Sequence, residues 1–400
     1  MNDLDARLTD LQPLRRRVFA LGALALALCG AGLFVDRAEF FRAYLIAYMF
    51  WLAMPLGSLG VIMIHHLVGG TWGFVIQRPL ESAMRTFPAM ALLFAPLCFG
   101  LGDLYIWARP EVVAGEPLLQ LKSGYLNVPF FIARAVLYFA VWITISRTLA
   151  NWSVEQDHRS DALSDRTLVE RLQTLSGPGL VLYGLTVTFS SIDWVMSIEP
   201  KWYSSIYGMI FMVGDGLVAL AFAVAAVYFL ARREPLARVS PPWVFHDLGN
   251  LLLAFVMLWA YTSFSQFLII WIENLTHEIP WYLHRLANGW GFIAAALVAL
   301  KFALPFLLLL ARSIKQAGRT LCAVAALIVA MYLIETWWFI APTFHPEGLA
   351  LHWTTILAPL GIGGLWLGVF LGELQERPLL PFHDPRFVAI LEEHDLVKNG

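Results

Sequence analysis

Charge is scarce in this chain. Asp, Glu, Lys and Arg make up 14% of its 400 residues, against about 25% in an ordinary soluble domain. Too little polar side chain is present to clothe a soluble protein of this length. Cysteine is scarcer still: Cys29, Cys98 and Cys322 lie far apart in apolar runs. No CxxC, CxxCH or clustered set exists, so the chain is expected to carry neither an iron–sulfur centre nor covalently attached haem. The three thiols read as small buried hydrophobes. There is no P-loop pattern, GxGxxG, HExxH or Ser–His–Asp order, which argues against nucleotide-binding and hydrolytic sites. Gly69-Gly70-Thr71-Trp72-Gly73 is a tight turn and not a phosphate loop. The alternating strands of an outer-membrane barrel are absent. With a net charge of −2 and no basic patch interleaved with aromatics, nothing points to nucleic acid.

What is present is apolar sequence, 59% of the chain, with a mean hydropathy of +0.67. Runs of membrane length recur from end to end. They predict an all-α polytopic membrane protein of one integral-membrane domain with about ten transmembrane helices, near 18–35, 42–66, 84–106, 126–149, 178–198, 202–231, 247–273, 281–311, 319–341 and 351–373. The first run follows Arg15-Arg16-Arg17 and resembles a signal peptide, with Cys29 at a lipoprotein-like position. Leu28 is too bulky for that cleavage, and the apolar run continues past it, so an uncleaved span is expected. Ten spans place both termini on one side. With that side inside, 19 Lys and Arg fall in inner segments, and six (Arg37, Arg42, Arg109, Lys122, Lys201, Arg285) in outer ones. Both termini, including the tail 374–400, are therefore expected in the cytoplasm. Trp107, Trp202, Trp271, Trp281 and Trp353 fall near outer helix ends, where an interfacial aromatic belt would lie. A loose likeness between Phe41–Tyr44 with Gly57 and Trp202–Ser205 with Gly214 hints at a duplicated four-helix unit.

Against this apolar background a few ionisable residues stand out, since acids in hydrocarbon are costly and mark ion, proton or substrate routes. Tyr183, Thr186, Ser190, Asp193 and Ser197 recur at steps of three and four, on one helix face. The stripe runs about 21 Å along the helix, most of a ~30 Å hydrocarbon layer. It ends at the turn Glu199-Pro200-Lys201, and the next helix carries Asp215 between Gly214 and Gly216. Small neighbours let another helix approach closely, and a lone mid-membrane aspartate suits a proton carrier. Arg134 and Asp193 lie about 12 Å and 9 Å from their outer helix ends, so an ion pair between them is expected, either as a gated carboxylate or as a structural lock. Lys301 and Glu335 are also deep, and Lys301 can reach either Glu335 or Asp215. Thr262, Gln266 and Glu273 share a face, beside Tyr261 and Ser265, as a hydrated path or as polar glue between helices. His65, His66 and His246 could supply haem imidazoles, but at the interface a solvated histidine is the simpler account.

Several stretches are similar to a known family: YLNVPFFIARAVLYFAVW, LSGPGLVLYGLTVTFSSIDWVMSIEPKWYSSIYG, FHDLGNLLLAFVMLWAYTSFSQFLIIWIENLTHEIPWYL and the tail HDPRF. The chain resembles the NrfD-like (polysulfide-reductase type) membrane subunits of alternative complex III, a bacterial quinol:cytochrome c oxidoreductase. Its length resembles that of the smaller of the two such subunits. That resemblance implies two four-helix bundles plus two flanking helices in the bacterial inner membrane. It also implies an NrfD-like paralogue, an iron–sulfur protein and c-type cytochromes as partners, with haem and Fe–S held by those partners. Contacts to a quinone or menaquinone are implied here too. Carried over, Asp193, Glu199 and Asp215 are candidates for proton transfer, and with Tyr183, Thr186, Ser190, Lys301 and Glu335 they form the candidate proton path. A rival reading is a proton- or ion-coupled secondary transporter with Asp193, Asp215 and Lys301 as coupling residues.

Overall fold

Backbone N–H and C=O groups in hydrocarbon have no water to bond, so an apolar chain of this kind satisfies them within helices. The computed structural model describes residues 11–158, 167–231, 236, 240–381 and 384. Arg7, Arg159, Arg166, Arg232, Arg233, Arg238, Arg386, Lys398 and most of the tail 374–400 lie outside the described residues. Among the described residues, ten helices are long and apolar enough to cross a membrane: α1 Gln12–Val35, α2 Arg37–Val68, α3 Trp72–Phe99, α4 Val128–Gln156, α5 Thr167–Ile198, α6 Tyr207–Leu230, α7 Pro242–Glu273, α8 Trp290–Leu310, α9 Gly318–Phe344 and α10 Trp353–Gln375. No strand occurs among the described residues.

Helices α2 to α5 pack together as one four-helix bundle and α6 to α9 as a second, while α1 and α10 lie against each other and flank α2. The bundles meet along α2 and α6, and α2 is buried almost throughout. Contact there is at backbone distance: a Cβ on Gly57 would fall 1.8 Å from the carbonyl oxygen of Asp215. The α1–α10 pair uses the same device, since a Cβ on Gly22 would meet the Gly364 backbone at 2.6 Å. Small residues at these crossings let dispersion contacts form between helices that hydrophobicity alone would not bring together in lipid. Glu199 lies at one end of the helix array and Arg78 at the other.

Three features differ from the sequence reading. Helix α5 starts at Thr167 and not near 178, and helix α3 at Trp72 and not near 84. Gln77, Arg78 and Glu81 stay inside it because they bond one another and Ser153 of α4. The span expected over 281–311 is broken: Pro280–Leu286 forms a short helix, Asn288 (φ 50°) and Gly289 (φ 93°) turn the chain, and α8 follows. Trp107, Trp202 and Trp281 do not form an interfacial belt. All three are buried at the Glu199 end, Trp107 bonded to Ser197 and Trp202 stacked on Trp281 with ring centroids 4.7 Å apart. Trp271 and Trp353 are exposed, as a belt residue would be.

The Gly57 contact makes a sharp test. Gly57→Ala drives a methyl into backbone that cannot rotate away, so a loss of at least ~1–3 kcal/mol is expected in detergent-titrated unfolding. Gly30→Ala, where a Cβ would meet nothing within 4 Å, should stay within ~0.5 kcal/mol of the parent.

Candidate functional site

Near the Glu199 end of the first bundle, Arg134 of α4 grips Asp193 of α5 through two parallel bonds, Nε to Oδ2 at 2.8 Å and Nη2 to Oδ1 at 2.9 Å. Tyr138 donates its hydroxyl to Oδ2 at 2.7 Å. The third guanidinium nitrogen donates to the Tyr125 carbonyl at 2.9 Å, and the plane lies 3.8 Å from the Tyr125 ring and 4.3 Å from that of Phe130. A fork-to-fork pair with a third donor leaves the carboxylate charge compensated on both oxygens. Asp193 is fully buried.

The hydroxyl stripe leading to Asp193 does not form a chain. Thr186 donates to Leu182 O and accepts from Trp142, Ser190 donates to Val187 O, and Ser197 donates to Asp193 O. Each hydroxyl proton is spent on the helix's own carbonyls, the usual local bonding of Ser and Thr inside helices. Tyr183 turns instead toward α2, where a Cβ on Gly60 would sit 3.1 Å from its ring.

A second constellation fills the second bundle. On α9, Tyr332 and Glu335 are three residues apart and so share a face. Tyr332 donates its hydroxyl to Asp215 Oδ1 of α6 at 2.6 Å. Glu335 pairs with Lys301 of α8 and accepts from Trp259 Nε1 of α7 at 2.6 Å. The Lys301 ammonium lies 4.5 Å from the Trp259 ring and 4.8 Å from the Tyr332 ring. Lys301 thus takes Glu335, while Tyr332 stands between it and Asp215. Its own segment, Leu297–Ala303, is a π-helical turn, a form common at functional sites. All four helices of the bundle contribute to the group, and Lys301, Glu335 and Asp215 are each at most 3% exposed. Gly214 and Gly216 make room for it, with the Tyr332 and Phe255 rings against them. An acid, a phenol, an ammonium and a second carboxylate in contact can hold and exchange a proton after small side-chain rotations.

Glu199 is ion-paired at the surface end of α5. Arg285 donates to Oε1 at 2.8 Å, and Thr343 bonds the same oxygen at 2.5 Å. Arg285 is 1% exposed, lies 3.8 Å from the Trp281 ring and also donates to Phe339 O. It is therefore not one of the solvated outer cations. The i, i+4 spacing of Trp281 and Arg285 was the available signal. Sequence reasoning also missed Tyr332 and the buried Arg78–Glu81 pair, 2.7 Å apart at the opposite end of the first bundle. Thr262 and Gln266 face inward, Gln266 bonding Ser204 and Tyr282, while Tyr261 and Glu273 are exposed. His66 Nδ1 lies 3.0 Å from Ser176 Oγ, and His246 meets Asn250 on its own helix in the other bundle.

Breaking the first pair separates a buried charge from its partner. Arg134→Met is expected to cost ~3–5 kcal/mol, whereas Arg134→Met with Asp193→Leu recovers most of it, because an apolar pair replaces a buried ion pair at little cost. A double-mutant cycle by detergent-titrated unfolding measures both.

No protein-family model matches the chain, and no curated protein matches it.

Proposed function

We propose that the chain is a membrane subunit of a respiratory quinol:cytochrome c oxidoreductase of the alternative complex III type, the smaller of the two NrfD-like subunits. In this reading it supplies scaffold, quinone contacts and a transmembrane proton path. Haem and Fe–S centres belong to the iron–sulfur and cytochrome c partners. The observation that carries the reading is the arrangement of buried charge. Each four-helix bundle holds a cation on its third helix and a carboxylate on its fourth, Arg134 with Asp193 and Lys301 with Glu335, and Asp215 adds a second acid to the second bundle, bonded to Tyr332. The quoted sequence likeness and the two-bundle, two-flanker architecture agree with the same assignment. The excess of Lys and Arg on one side supports both termini being cytoplasmic, and the bacterial inner membrane follows from the likeness alone.

Within that reading the geometry favours the second bundle as the proton route. Asp193 is held by a fixed cation and a phenol, and its hydroxyl stripe is bonded to backbone. Asp215 is held by the neutral Tyr332, whose ring contacts the Lys301 ammonium. Proton relay by a positioned group contributes roughly 10²–10⁴-fold. Asp215→Asn in the purified complex is therefore expected to leave quinol oxidation running while proton release per electron collapses. Arg134→Lys should leave that ratio intact. Unchanged proton release in Asp215→Asn would remove the route. Purification of the chain without co-purifying c-type haem and Fe–S would favour the ion-coupled transporter instead.

A further inference from the structure

At the Glu199 end the short helix Pro117–Lys122 lies across the last turns of α5 and leaves a cavity of about 390 Å³. Leu121, Ile192 and Met196 form an apolar wall, and Lys122 is the charged residue of the lining, which contains no carboxylate. The rim is open: Leu121 and Tyr203 are exposed. Leu185 and Phe189, at helical spacing before Ile192 and Met196, continue an exposed strip down α5. Ile192 lies roughly 9 Å below Ile198 along the helix.

One cation in this wall lacks a counter-charge, and one donor lacks an acceptor. Lys122 is half-buried, and its ammonium donates to the neutral Pro200 carbonyl at 2.6 Å. The acids of this region are occupied, Glu116 by Lys201 at 3.1 Å and Asp193 by Arg134. Burial without a counter-charge pulls the Lys122 ammonium below the usual lysine range. Trp202, 4% exposed, has an indole N–H with no hydrogen-bond partner. In a chain that spans a membrane, a cation without an anion, a spare N–H and an open apolar groove fit one kind of occupant. A zwitterionic choline head would bring its own cation beside Lys122, and a quinone head would leave the lysine charge uncompensated.

We propose that this cavity is a binding site for an anionic phospholipid, its phosphate accepting from Lys122 and one acyl chain lying along Leu121, Ile192 and Met196. The inference rests on the chain spanning a membrane and not on its respiratory role.

Native mass spectrometry of the full chain, delipidated and offered phosphatidylglycerol and phosphatidylcholine in equal amounts, tests it. The parent is expected to retain phosphatidylglycerol preferentially. Lys122→Gln should weaken that retention roughly 5-fold, the worth of one cation near anionic headgroups, without changing phosphatidylcholine binding, and Lys122→Arg should restore it. Met196→Trp, which fills the groove, should lower retention with Lys122 intact. Equal retention of the two lipids by the parent, or full phosphatidylglycerol retention by Lys122→Gln, would overturn the proposal. So would a quinone displaced by Met196→Trp while phosphatidylglycerol stays. Failure of quinol oxidation in the complex would bear on the respiratory reading alone and leave this result standing.

Discussion

The contact of α2 with α6 sets the terms for everything around it. At Gly57 the two backbones touch, with no side chain between them and the Asp215 carbonyl. Helices held this closely lose the freedom to rotate, so the Asp215 side chain points wherever that crossing leaves it: into the second bundle, against Tyr332. The glycines on either side of Asp215 extend the same logic, one receiving the Tyr332 ring and the other Phe255. An acid in the middle of an apolar helix becomes tolerable because the crossing presents it to a donor and hides it from lipid.

The buried pairs then read as two answers to one electrostatic problem. Arg134 lies roughly 9 Å into α4, and Lys301 roughly 16 Å into α8, by helical rise, so the first pair sits nearer an interface and the second nearer mid-bundle. The shallow pair uses arginine, whose planar fork fills both carboxylate oxygens and whose faces stack on aromatic rings. The deep pair uses lysine, a point charge on a flexible stem, seated on a π-helical turn. Buried ion pairs give little net stability against apolar replacements. Their presence in both bundles therefore asks for a reason other than holding helices together.

Much of this was legible without coordinates. Ten apolar runs of membrane length and the helical periodicity around Asp193 are local signals, and a depth count along two helices was enough to set Arg134 level with Asp193. The misreadings share a cause. Hydropathy treats a polar residue as one that leaves the membrane, so it places Gln77, Arg78 and Glu81 before α3, and it counts Arg285 as an outer-side cation without showing that it is buried. Each is buried because another helix or loop supplies its partner: Ser153 for the first group, and Glu199, Phe339 and Thr343 for Arg285. The choice of Lys301 for Glu335 over Asp215 depends on how α8 rotates against α9, which is long-range packing with no local sequence mark.

The difference between the two aspartates is one of exchange and not of burial. A carboxylate whose oxygens both face one guanidinium, with a phenol added, gains nothing from a proton unless the arginine leaves, and Arg134 is held by the Tyr125 carbonyl and two rings. Asp215 meets the Lys301–Glu335 pair across Tyr332, a residue that can donate to the acid while its ring faces the ammonium. Moving the lysine head a short way along that ring changes the field at both carboxylates at once, with no helix displaced. On the proposed respiratory reading, that makes Tyr332, which has no charge and left no signal in the sequence, the residue through which the two acids of the second bundle communicate.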